Sequence, residues 1–209
     1  MAEALTYASL LTDVQTYCER SDAPFISQIP RLVMLAENRL ASEVRGLGLQ
    51  RYVTGTFNGD SFPKPERWRE TISLNTTIGT ERVFLQQRSY DYCRAFAPDP
   101  ALTGQPRYYA DYGYEHFLVV PTPASAYAFE LAYYERPEPL GETNQTNWTT
   151  QYAPQLLLYA TLLEAQPFLK RQELMQVWQG LYDRALQGLA QETSRRVGGD
   201  RASSSRTGE

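Results

Sequence analysis

Residues 151–168, QYAPQLLLYATLLEAQPF, carry apolar side chains almost all the way round a helix, with Glu164 as the only charge. A surface helix needs a polar face, so a helix without one lies between other elements. This stretch therefore predicts a helical part of the molecule more than one layer deep. Residues 172–191 follow after a short break at Leu169–Arg171. They show a stripe of Leu174, Val177, Trp178, Leu181, Tyr182, Ala185 and Leu189, so the two helices pair antiparallel.

Toward the N-terminus the period changes. Between Gln50 and about Arg136, short alternating runs are divided by Gly, Pro, Asn and Asp, as in strands joined by turns. Val53, Gly55 and Phe57 alternate with Tyr52, Thr54 and Thr56. Trp68, Ile72 and Leu74 are placed on one face of the next run, and Val83 and Leu85 on one face of another. A helical turn at residues 89–96 interrupts. Three runs, 107–112, 115–120 and 127–135, then read as a meander, with Tyr127, Phe129, Leu131 and Tyr133 opposite Glu130.

Helical spacing also opens the chain. Leu10, Leu11, Val14, Tyr17 and Cys18 share a stripe behind a Thr6 cap. After a turn at Ser21–Pro24, Leu32, Val33, Ala36, Leu40 and Val44 mark a second helix, with Pro30 at its start. Gly46 and Gly48 are expected to end it in left-handed conformation. The expected fold is therefore α+β: a helical bundle formed by the N- and C-terminal helices, with an inserted antiparallel β-rich lobe. The boundaries read as N-terminal helices over residues 1–49, the lobe over 50–140, and a C-terminal helix pair over 141–192. Residues 193–209, rich in Gly, Ser and Arg, form a tail that is disordered or ordered by a partner.

The chain has 209 residues and a net charge of −4, which argues against a protein whose main task is to grip nucleic acid through clustered cations. It still allows a conduit along which DNA slides without sticking. With 15 Tyr, 8 Phe and 3 Trp, the chain is rich in rings that suit surfaces dry on assembly and wet before it, or that simply form strands. Cys18 and Cys93 stand far apart in apolar stretches and read as reduced, buried thiols. The start lacks a basic region followed by an apolar one, and no apolar run approaches a membrane span. A soluble chain made in the cytoplasm is expected, in which the sequons at Asn75, Asn144 and Asn147 carry no sugar.

Sites for chemistry are scarce. Phosphate-binding glycine loops, a nucleophile elbow and a zinc-protease motif are missing, and the single histidine, His116, rules out a multi-histidine metal site. No catalytic, cofactor-binding or metal residue is assigned. His116 in the run EHFLVV reads as a structural histidine, with a general base as the alternative. The carboxylate pairs Glu135 with Glu138 and Asp111 with Glu115 stand out no more than others. Arg195, Arg196, Arg201 and Arg206 are candidate partner-binding residues, with solubility or phosphate contact as the alternatives. Trp68, in RWRE, reads first as a core residue and also as a stacking platform between arginines. Trp148 reads as a packing anchor. Both are candidates for contacts between subunits or with the tail.

In order along the chain, the blocks YASLLTDVQTYCER (7–20), QIPRLVMLAENRLASEVR (28–45), RWRETIS (67–73), RSYDYCR (88–94), QPRYYADY (105–112), FLVVPTP (117–123), YAFELAYYER (127–136) and 144–169 resemble the head-to-tail adaptor family of short-tailed phages, related in fold to tubular tail proteins. The resemblance implies a non-enzymatic virion protein without cofactors. Its copies would form a homo-oligomeric ring, typically of twelve, between the portal and the tail nozzle or tube, with tail fibres as further neighbours. DNA would pass through the central channel without specific binding, and no membrane is involved. It also implies that the C-terminal segment reaches the portal. The other classes left open are a small hydrolase or nuclease using His116, and a nucleic-acid-binding module using the tail arginines and Trp68.

Overall fold

The computed structural model describes residues 4–99, 101–169 and 172–197. In chain order its elements begin with α1 (Tyr7–Cys18), α2 (Ala23–Ile26) and α3 (Ile29–Glu43), followed by a 3-10 turn at Leu47–Leu49. Next come β1 (Gln50–Phe57), β2 (Ser61–Pro63), β3 (Trp68–Ile78), β4 (Glu81–Gln87) and the short helix α4 (Tyr90–Phe96). Then follow β5 (Thr103–Gly104), β6 (Tyr108–Tyr112), β7 (His116–Val120), β8 (Thr122–Pro123) and β9 (Tyr127–Glu135). The chain continues with α5 (Trp148–Tyr152), α6 (Pro154–Leu169) and α7 (Gln172–Val197). Two compact units result, one from Met1–Leu49 with Pro137–Glu209 and the other from Gln50–Arg136.

The expected helical bundle with an inserted antiparallel lobe is overturned. The protein is α+β, 45% helical and 28% strand, with a large, nearly closed, seven-stranded mixed sheet. Among the described residues the sheet order is β1-β9-β3-β4-β6-β7-β2, and β5 pairs with β8 in a second, two-stranded sheet. Strands β6 and β7 pair antiparallel as the meander expects, but two features defeat the wider antiparallel reading. First, β4 and β6 run parallel, because α4 lies between them and carries the chain back to enter β6 in the same direction. Second, β9 leaves its sequence neighbours and inserts between β1 and β3, antiparallel to both.

The β unit has two apolar layers. Phe57, Phe62, Leu74, Leu85, Tyr109, Phe117, Val119, Leu131 and Tyr133 form the larger core. On the other face of β6 and β7, Ala110, Leu118 and Val120 pack with Cys93 of α4. Strand β7 is therefore covered on both sides, which is why HFLVV reads as a continuous apolar run instead of an alternating one. Along β3, bulges between Trp68 and Glu70 and between Thr71 and Ser73 insert Arg69 and Ile72 as extra residues. Each bulge breaks the period of two. Trp68 and Leu74 consequently both join the core, while Ile72 stays exposed, against the expected common face.

In the helical unit, Thr6 caps α1 through a reciprocal pair with Ser9, each side chain accepting from the other's backbone N–H. Helix α6 packs against α1, α3, α5 and α7. Its one charge, Glu164, is matched by Arg39 of α3 at 2.6 Å. The hydroxyl of Tyr182 in α7 donates to Glu43 of α3 at 2.6 Å, and burial with that hydrogen bond pushes the phenol well above its usual range. Helix α7 runs to Val197, past the boundary at 192 read from the sequence.

Gly46 and Gly48 do not take left-handed angles; among the described residues the glycines at positive φ are Gly79 and Gly113. Gly48 is small for a different reason. A Cβ there would stand 1.8 Å from Nε1 of Trp148, whose indole lies against the 3-10 turn. Gly48→Ala is expected to destabilise the protein by about 2 kcal/mol through overpacking, read as a lower denaturant midpoint. Unchanged stability would mean that the indole moves aside freely.

Candidate functional site

The residues singled out from the sequence do not gather at one place. Arg195 and Arg196 occupy the last turn of α7, both exposed, where positive charge complements the helix C-terminus. Arg196 pairs with Glu192 one turn back. Arg201 and Arg206 lie outside the described residues. Trp68 belongs to the β core: its Nε1 donates to Thr71 Oγ1 at 3.1 Å, its ring meets Phe117 edge-on at 5.6 Å, and Lys64 Nζ sits 3.8 Å from its centroid. Trp148 is half-buried beside Gly48, with its ring 6.0 Å from that of Tyr152. His116 is exposed at the start of β7, opposite Tyr112 on one side and Pro63 on the other. Cys18 and Cys93 are buried free thiols; burial pushes Cys18 up to about 11 and Cys93 in the same direction.

Each unit carries an open groove. In the helical unit a groove of about 560 Å³ runs between the α5–α6 junction and α7, with Tyr152, Tyr159, Arg184, Gly188, Leu189 and Glu192 among its walls. In the β unit a groove of about 470 Å³ is lined by Lys64, Glu66, Tyr114, Glu115, His116 and Arg136. Among the described residues no cluster of three or more His, Cys, Asp or Glu could hold a metal ion. No buried polar side chain among them lacks a hydrogen-bond partner. None of the helices described is long and apolar enough to cross a membrane.

One surface escaped the sequence reading. Around α4 and β6, Tyr90 and Tyr112 stack at 6.0 Å and 8° apart, with Arg94 over both rings at 5.3 and 5.8 Å. Beside them Tyr92 and Phe96 each meet Tyr108 edge-on, at 5.4 and 4.9 Å, and Arg88 lies 5.6 Å from the rings of Tyr92 and Tyr108. The signal was present as two Tyr-and-Arg blocks, SYDYCRAF and PRYYADY. It stayed hidden because the blocks meet only through the parallel crossover.

The chain matches none of the curated proteins set against it. The profile of the SU10 adaptor protein family matches residues 5–207. That span takes in every helix and strand described above. The chain belongs to the SU10 adaptor protein family, which points to a structural protein of a phage.

Proposed function

We propose that this chain is the head-to-tail adaptor of a tailed phage, whose copies close into a ring between the portal and the tail nozzle and leave a channel for DNA. The observation that carries this reading is the family match over residues 5–207. A closed ring needs two different patches on each copy, related by a rotation that returns to the start; twelve copies is the expected number. The net charge of −4 fits a conduit that must not hold the DNA passing through it. Tail fibres are further neighbours in this reading, and the protein resides in the virion after assembly in the host cytoplasm.

The C-terminal segment is assigned to the portal. Arg195 and Arg196 stand exposed at the end of α7, and Arg201 and Arg206 follow in the residues beyond it. Removing residues 198–209 is expected to leave the unfolding midpoint unchanged and to weaken portal attachment about tenfold or more, equivalent to at least ~1.4 kcal/mol. Undiminished attachment would overturn the assignment of the tail. The ring itself is tested by the mass of the complex formed with portal: a mass that never exceeds one copy per portal would sink it.

A further inference from the structure

We infer that the tip of the β6–β7 hairpin, Tyr114 with Glu115, is the knob by which each copy holds the next, and that the groove between the α5–α6 junction and α7 of the neighbouring copy receives it. This rests on the ring reading above. Knob and groove are each left unused within one chain, and they agree in size, chemistry and sign.

Tyr114 is 88% exposed, more than any other large apolar residue described. Its ring stacks on no other and its hydroxyl is unbonded among the described residues, where the Glu115 carboxylate also has no partner. Their support is held fast from one side by Lys64. The Lys64 backbone N–H donates to the Glu115 carbonyl at 2.7 Å, and its ammonium donates to the Gly113 carbonyl at 3.2 Å and to Asp111 Oδ1 at 2.6 Å. Gly113, at φ 71°, supplies the tight turn. Little backbone freedom is therefore left to lose on docking.

The groove, of about 560 Å³, is of a size that encloses a ring together with its neighbours. Pro154, Leu181 and Leu189 give it apolar walls. Glu192 at its edge is already matched by Arg196, whereas Arg184 is exposed and meets no carboxylate among the described residues. The unmatched charge of the groove is thus positive, opposite to that of Glu115.

Gly188, on the wall of the groove, is an independent sign of a visitor. It lies inside α7, where glycine is a poor helix former, yet a Cβ there would meet nothing within 4 Å. Packing within the subunit does not call for a glycine. The room it leaves beside the helix backbone serves a body that arrives from outside, and a tyrosine ring is such a body. Tyrosine and arginine are also the residue types that dominate interface energies. Since knob and groove are different patches, the contact runs head-to-tail, as a closed ring requires.

Sedimentation of the full chain, alone and with portal, tests this. Tyr114→Ala and Gly188→Leu are each expected to raise the concentration needed for assembly at least about tenfold. Gly188→Leu should at the same time raise the unfolding midpoint, because leucine is the better helix former and has space there. Circular dichroism checks that each variant is folded, and Arg184→Glu, on an exposed side chain, replaces Gly188→Leu if that variant is not. Mixing the two variants is expected to give a two-copy species that grows no further, since the knob of the Gly188→Leu chain finds the open groove of the Tyr114→Ala chain. Glu115→Arg and Arg184→Glu should each weaken assembly and together restore it. Rings that form unchanged in Tyr114→Ala or in Gly188→Leu overturn the inference and leave the ring reading standing. Absence of the two-copy species on mixing, or of rescue by the charge exchange, overturns the pairing of hairpin with groove. A wild-type chain that never exceeds one copy, alone or with portal, overturns both. Portal attachment lost in Gly188→Leu while copies still assemble assigns the groove to portal instead.

Discussion

Phe117→Ala is expected to lower stability by about 4 kcal/mol, the typical cost of truncating a fully buried phenylalanine. Phe117 is 0% exposed at the centre of the β unit, within ring contact of Phe62 at 5.3 Å, Trp68 at 5.6 Å and Tyr109 at 5.8 Å. It also forms part of the box that receives a buried cation. The Lys64 side chain is 3% exposed, with Nζ 4.9 Å from the Phe117 centroid, 2.6 Å from Asp111 Oδ1 and 3.2 Å from the Gly113 carbonyl. Removing the ring leaves a cavity and takes away one of the two faces that make burial of the ammonium tolerable. Phe117→Leu keeps most of the volume and is expected to cost about 1.5 kcal/mol. Urea unfolding measures both. A loss below roughly 1 kcal/mol for the alanine variant would show that the core is not organised around this ring.

Asn147→Ala should cost about 3 kcal/mol, combining a lost helix cap with a lost hydrogen bond to a half-buried carboxylate. Asn147 Oδ1 accepts from the backbone N–H groups of Thr149 and Thr150 at the start of α5, and from the Thr149 hydroxyl at 2.6 Å. Its Nδ2 donates to Glu37 Oε1 at 2.9 Å, tying the segment before α5 to α3. Burial raises the pKa of Glu37, while the hydrogen bonds from the Leu140 backbone and Asn147 pull the other way and do not fully offset it. A carboxyl raised in the folded state contributes stability that is fully present below its unfolded pKa and is lost as pH rises through the folded value. The alanine variant removes one of the bonds favouring the charged form, so its loss should be larger at neutral pH than near pH 4. Glu37→Gln should flatten this part of the pH dependence relative to wild type. Equal losses for Asn147→Ala at both pH values would detach Asn147 from the ionisation of Glu37.

The site was less legible than the fold. His116 and the two tryptophans draw attention because their residue types are rare in this chain, yet rarity does not report position. Trp68 proves to be half of a lysine box, and Trp148 the reason that Gly48 has no side chain. The Tyr-and-Arg surface is split between residues 88–96 and 107–112 and becomes one surface only when α4 folds back beside β6. The partial burial of Glu37 could not be read, because its hydrogen-bond partners Leu140 and Asn147 are more than a hundred residues away.

Local order could be read from the chain without coordinates: the cap at Thr6, the deeply buried α6, the stripe of α7 apart from Val177, which is exposed, the alternation of β9 and the helical turn at α4 all rest on neighbours within a few residues. Tertiary structure decided how the strands are shared out. The insertion of β9 between β1 and β3, the parallel pairing of β4 with β6 and the two bulges in β3 follow from which distant faces must be covered at once. Hydrophobic period is a property of one strand, whereas pairing is settled by the burial of whole sheet faces, and an alternating run carries no mark of the partner it will meet.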